Sequence, residues 1–61
     1  MKNLIELYKT KFEDTLSDFN DAQIEVIASR AWDDGHPYGI EESVQYMSDY
    51  VDMVRAVIKF K

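Results

Sequence analysis

Five side chains that could bind a metal ion or transfer a proton lie within ten residues near the middle of this chain. They are Asp33, Asp34, His36, Glu41 and Glu42. Carboxylates and imidazole both bind divalent ions. Their spacing, however, matches neither the Asp-x-Asp-x-Asp-Gly loop that holds calcium nor the His-Glu-x-x-His pattern that holds zinc. We therefore expect no metal site and no cofactor.

The same cluster contains the one side chain that is suited to general base catalysis near neutral pH. His36 is the only histidine, and Asp33 or Asp34 could orient its ring. The chain has no cysteine, and none of its serines lies in a nucleophile-elbow pattern. We expect no enzymatic activity, and we predict that His36 caps a helix end or packs in the turn, bonded to a backbone group.

The segment from Ala31 to Glu42 resembles a turn between two helices in small uncharacterised proteins of tailed bacteriophages. In that turn an aromatic residue precedes Gly-His-x-x-Gly-x-x-Glu, and here the order is Trp-Asp-Asp-Gly-His-Pro-Tyr-Gly-Ile-Glu-Glu. The resemblance implies a small phage-encoded protein in the cytoplasm of the infected host. Such proteins bind and redirect one host factor, such as an enzyme, or block a defence system.

Three amphipathic segments must position these residues, and together they predict an all-α fold. We place helices at about residues 2–18, 21–34 and 40–59, in one small domain that is a three-helix bundle or a hairpin. Asn20 and Gln23 have the spacing of a capping box at the start of the second helix. Gly35 is expected to end that helix in a left-handed conformation, and Pro37 prevents its continuation.

The expected core follows from apolar residues at helical spacing. In the first helix the predicted core stripe comprises Ile5, Tyr8, Phe12, Leu16 and Phe19, with Met1 and Leu4 beside it. In the second helix the inward residues are Ile24, Ile27, Ala28 and Ala31, with Trp32 at the edge. Leu7 lies off its stripe and is interpreted either as an isolated exposed leucine or as the edge of a contact patch. Val26 also lies off its stripe and is interpreted as a single isolated apolar residue.

The third helix carries two apolar stripes about 120° apart, although a surface helix normally shows only one. One stripe comprises Ile40, Val44, Met47, Val51, Val54 and Ile58. The other comprises Tyr46, Tyr50, Met53, Val57 and Phe60. A chain of 61 residues has a small core, so we expect the second stripe to contact a second copy or another protein. The predicted partner-binding residues are Tyr46, Tyr50, Met53, Val57 and Asp49. The alternative is that both stripes lie in the core, between the first two helices.

The charge is acidic, with a net value of −5 at pH 7. Residues 21–54 carry eight carboxylates against a single basic residue, Arg30. Such a surface repels phosphate backbones, and therefore direct nucleic-acid binding is not expected. The charges also agree with the dipole of the third helix. Its negative C-terminal end carries the basic residues Arg55, Lys59 and Lys61, and its positive N-terminal end carries Glu41 and Glu42.

Three functions remain open, and one of them is a structural homo-oligomer without an inhibitory role. The preferred one is a small acidic protein-binding module, acting as a homodimer or on a host factor. The alternative is a nucleic-acid mimic, in which carboxylates at residues 33, 34, 41, 42, 49 and 52 imitate phosphates on a DNA- or RNA-binding enzyme. The absence of a secretory signal pattern and of a long apolar run predicts a cytoplasmic protein without a membrane span.

Overall fold

Three α-helices account for most of the computed structural model, which describes residues 2–59. α1 spans Lys2–Phe12, α2 spans Asp21–Gly35 and α3 spans Ile40–Lys59, and a 3₁₀ turn at His36–Tyr38 joins the last two. These residues contain no β-strand. The predicted all-α class is therefore confirmed, and the second and third helices lie close to their predicted bounds. Two residues of the predicted apolar pattern lie outside the described residues: Met1, which was placed beside the first stripe, and Phe60, which was assigned to the second stripe of the third helix.

The core forms where α2 and α3 run antiparallel and α1 packs against both of them. Near the turn Gly35 meets Ser43, whereas further along the pair Ile27 and Val54 line the same groove. The buried apolar residues come from all three helices and from the connection between α1 and α2: Leu4, Tyr8, Leu16, Phe19, Ile24, Ile27, Ala28, Ala31, Val44, Met47 and Val51.

The first helix is shorter than its apolar spacing suggested. α1 ends at Phe12, and the prediction that it extends to about residue 18 is wrong. Glu13 and Leu16 adopt left-handed conformations, with φ of 51° and 55°. Between them the Asp14 carboxylate accepts a hydrogen bond from the Leu16 backbone N–H at 2.9 Å. Aspartate competes in this way with helical hydrogen bonding and favours a turn, so Leu16 enters the core from a connection rather than from a helix.

Arg55 holds this connection against α3. Its guanidinium donates hydrogen bonds of 2.8 and 3.0 Å to Asp14 and two of 2.9 Å to Asp18. It also lies over the Phe19 ring, 5.4 Å from its centroid. The hydrogen bonds from Arg55 hold the pKa of both carboxyls below the usual range. Sequence analysis predicted only that the positive charge of Arg55 favours the C-terminal end of α3. The structure shows that Arg55 also binds the connection between α1 and α2.

The two ends of α2 are fixed in different ways. At its start the predicted capping box is confirmed: the Gln23 N–H donates to the Asn20 side chain at 2.8 Å, and the Asn20 N–H donates to the Gln23 side chain at 2.9 Å. At its end the prediction for Gly35 is wrong, because its φ is −104° and its conformation is right-handed. A Cβ at Gly35 would lie 2.6 Å from the Ser43 Cα, and so close helix packing requires the glycine. The left-handed position is Gly39, with φ of 112°.

Candidate protein-docking face

The acidic residues and histidine around the α2–α3 turn do not converge on one point. The His36 Nδ1 lies 2.8 Å from the Trp32 carbonyl oxygen, and the two rings stack with centroids 5.2 Å apart. The carbonyl oxygen can only accept a hydrogen bond, so Nδ1 carries the proton. The predicted backbone bond of His36 is confirmed. Among residues 2–59, no three histidine, aspartate or glutamate side chains are grouped as a metal ion would require.

Asp34 does not take part in the contacts of His36. It binds Tyr50 of α3 instead. Its carboxylate accepts a hydrogen bond from the Tyr50 hydroxyl and lies 3.4 Å from the Arg30 guanidinium. The bond to Asp34 raises the pKa of the Tyr50 hydroxyl. By contrast, burial and the hydrogen bond to Asp14 raise the pKa of the Tyr8 hydroxyl on α1, and the Asp52 carboxylate adds to this shift. The carboxylates considered as phosphate mimics therefore lie on different sides of the molecule.

The five predicted partner-binding residues divide into a half-buried and an exposed group. Tyr46 and Tyr50 are half-buried against the core, with ring centroids 6.0 Å apart. Met53 is 59% exposed and Val57 is 55% exposed. Asp49 is exposed and accepts a 3.5 Å hydrogen bond from the Gln45 amide. The second stripe of α3 thus contributes to the core near the turn and to the surface near the C-terminal end.

An open groove lies between α2 and the exposed end of this stripe. It has a volume of about 420 Å³, and we call it the α2–α3 groove; it is lined by Val26, Ile27, Arg30, Tyr50, Met53 and Val54. It continues into a depression of about 330 Å³ that shares Val26, Ile27 and Val54 and ends beside Asn20, Ala22 and Gln23. Most of these side chains present apolar atoms, so the groove is a continuous apolar depression rather than a scatter of single residues.

Val26 is the residue of this groove that sequence analysis missed. It is 69% exposed, and it was interpreted as an isolated apolar residue because it lies off the core stripe of α2. The antiparallel pairing places it in the same groove as Met53. The signal was present in the sequence as two apolar residues off the core stripes, one on each helix, but their adjacency depends on the register between α2 and α3.

The flanks of the groove carry mostly carboxylates. Glu25 and Asp33 lie beside Val26 on α2, where they line a neighbouring shallow depression. Asp49 precedes Tyr50 on α3 and is exposed. Arg30 is the basic residue in the groove lining, and its ion pair with Asp34 offsets its charge. The groove is therefore apolar at its floor and negatively charged at its sides.

A second, smaller groove on another face provides a useful comparison. It has a volume of about 260 Å³ between α1 and α3 and is lined by Leu7, Lys11, Ile40, Glu41 and Val44. Leu7 is 43% exposed. Lys11 and Glu41 are of opposite sign, so this groove lacks the excess of carboxylates that flanks the α2–α3 groove.

Among residues 2–59, no helix has both the length and the apolar character that are needed to cross a bilayer.

Comparison with known proteins does not assign this surface to a family. No protein-family model, curated protein or solved structure shows a significant match to the chain.

Proposed function

We propose that this protein is a non-enzymatic binding module that docks another protein in the α2–α3 groove. The observation that supports this most strongly is the exposure of Val26 and Met53, one on each helix, in one apolar groove. Single exposed apolar residues are common, but an apolar patch that joins two helices is typical of an interaction site.

The groove also suits recognition because one of its walls is already held in place. Tyr50 is fixed by packing against the core and by the hydrogen bond from its hydroxyl to Asp34. A side chain that is ordered before binding loses little conformational entropy when the partner arrives. Tyrosine is also enriched among the residues that dominate binding energy at protein interfaces.

The biological setting of the proposal rests on the resemblance of residues 31–42 to the phage turn. On that basis the partner is a host factor, and docking in the groove modulates or inhibits it in the host cytoplasm. The segment that carries the resemblance includes Asp34, whose carboxylate accepts the hydrogen bond from the Tyr50 hydroxyl.

Affinity capture from a bacterial lysate with matched variants tests the proposal. Val26→Ser and Met53→Ser remove exposed apolar surface from the groove, and Leu7→Ser removes it from the α1–α3 groove. Because all three residues are exposed, each change should alter the free energy of unfolding by only about 0.5 kcal/mol.

We expect proteins retained by the wild type to be lost with Val26→Ser and Met53→Ser and to be kept with Leu7→Ser. Sedimentation across a concentration series shows whether a second copy occupies the groove instead. Equal capture by all three variants, together with an unchanged oligomeric state, would rule out the α2–α3 groove as the docking surface.

A further inference from the structure

The chemistry of the partner can be narrowed from the charges around the α2–α3 groove; this step rests on the proposed function. Glu25 and Asp33 flank the groove on α2. On α3, Asp49 is exposed and is the sequence neighbour of Tyr50, which lines the groove. Arg30, the basic residue in its lining, is paired with Asp34. A partner that buries the apolar floor must therefore place its own edges beside carboxylates.

The shape of the groove indicates a helix. It runs between two antiparallel helices from Asn20 and Val54 at one end to Arg30 and Tyr50 at the other. The ten residues from Asn20 to Arg30 span about 15 Å at a rise of 1.5 Å per residue, which corresponds to roughly three helical turns. An amphipathic helix that lies along such a groove inserts apolar residues at spacings of three and four.

The charge of the whole chain argues against a second copy as the occupant. Each copy carries a net charge of −5, and pairing two α2–α3 grooves face to face would bring their flanking carboxylates together. Like charges placed opposite each other at an interface oppose association. A partner with basic flanks is instead attracted by the negative potential of this protein. That attraction also acts over longer distances, before contact.

We propose that the α2–α3 groove binds an amphipathic helix of another protein, about three turns long, whose apolar stripe is flanked by lysine or arginine. The apolar stripe of that helix covers Val26 and Met53. Its basic side chains lie opposite Asp33 on one side and Asp49 on the other.

Two synthetic helical peptides test this assignment by fluorescence anisotropy. Both carry the same leucine stripe, and the stripe is flanked by lysine in one peptide and by glutamate in the other. We expect the lysine peptide to bind about tenfold more tightly at low salt, because exposed ion pairs each contribute little but several act together. Added salt should reduce that preference by screening.

Matched protein variants locate the binding. Val26→Ser with Met53→Ser should abolish binding of the lysine peptide, whereas Leu7→Ser should leave it unchanged. Asp33→Asn with Asp49→Asn should weaken the lysine peptide alone. The same change in net charge made elsewhere, by Glu6→Gln with Asp52→Asn, should have much less effect.

The possible failures separate this inference from the proposed function. Equal affinity for the two peptides, with both sensitive to the groove variants, would overturn the basic-helix assignment but leave a docking groove. Dimerisation that Met53→Ser abolishes would identify a second copy as the occupant and refute the assignment. Binding of the lysine peptide that ignores the groove variants, or no binding of either peptide, also contradicts it.

Discussion

Gly35→Ala tests the close packing of α2 against α3, which sets the geometry of the α2–α3 groove. Gly35 is helical, and at an ordinary helical site this replacement stabilises a protein by about 0.5–1 kcal/mol. Here the added Cβ would lie 2.6 Å from the Ser43 Cα and 2.7 Å from its backbone nitrogen. Neither atom can move by a side-chain rotation, so the two helices must separate.

The expected size of the effect follows from these opposing contributions. Overpacking that shifts backbone costs about 1–3 kcal/mol, and helix propensity returns up to about 1 kcal/mol. We therefore expect a net loss of about 1–2 kcal/mol in the free energy of unfolding. For a chain of this size, a loss of 1 kcal/mol lowers Tm by about 8 °C.

Urea and thermal unfolding followed by circular dichroism measure the change. Gly39 provides the contrasting control, because a Cβ there would meet nothing within 4 Å but its φ is 112°. Gly39→Ala should therefore destabilise through backbone strain, and a synthetic chain with D-alanine at position 39 should not. If Gly35→Ala proves as stable as the wild type or more stable, the close contact with Ser43 does not determine the helix spacing.

Three further perturbations test other parts of the structure. Ser43→Ala should raise the free energy of unfolding by about 1 kcal/mol in urea denaturation, because the buried Ser43 hydroxyl finds no hydrogen-bond partner among residues 2–59; a loss of stability would contradict this. Arg55→Met should destabilise the protein at neutral pH and flatten its acid dependence. The folded-state pKa of Asp14 lies below the unfolded value of about 3.9, so its stabilisation is complete above that pH and is lost as the pH falls further. Parallel stability curves for wild type and variant from pH 6 to pH 2 would contradict the role of Arg55. Asn20→Ala should cost about 1 kcal/mol by removing the cap of α2, whereas Asn20→Asp should restore most of it.

The parts of the fold that could be predicted depend on neighbours in sequence. The capping box joins Asn20 to a residue three positions later, and the bond from His36 reaches back four positions. Apolar spacing likewise identified α2 and α3 because each helix has a buried face. In α3 that face is shorter than predicted, because Ile40 and Ile58 at the ends of the core stripe are exposed. Such interactions can be predicted from the sequence because they form within one helix end or along one helix face.

The connection between α1 and α2 could not be predicted in this way. Leu16 continues the spacing of the α1 stripe and is buried as expected, and periodicity alone therefore extends the helix through it. What stops the helix is Asp14, which bonds Leu16 locally and Arg55 from 41 positions away. A contact between such distant residues depends on the packing of α3 and leaves no periodic signal.

The candidate site was predictable on one helix and not across two. The second stripe of α3 identified Met53 and Val57 as residues off the core, and both are exposed. The same stripe could not show that Tyr50 would be partly covered by α2, because that depends on Asp34 lying beside it. Val26 joins the groove only through the antiparallel register, which Gly35 and Ser43 help to set.

The open groove follows from how few elements this chain has. Arg55 holds the α1–α2 connection through Asp14, which also bonds Tyr8 of α1. No residue of α1 lines the α2–α3 groove, and the connection reaches only its extension, through Asn20. Covering the groove would require a fourth helix, which a partner can supply. Val26 and Met53 of the groove lining are each more than half exposed, and burying their remaining exposed surface would contribute about 1 kcal/mol each. Together they account for about 2 kcal/mol, or roughly thirtyfold in affinity. A groove variant that weakens partner binding less than threefold would therefore show that these side chains stay outside the interface.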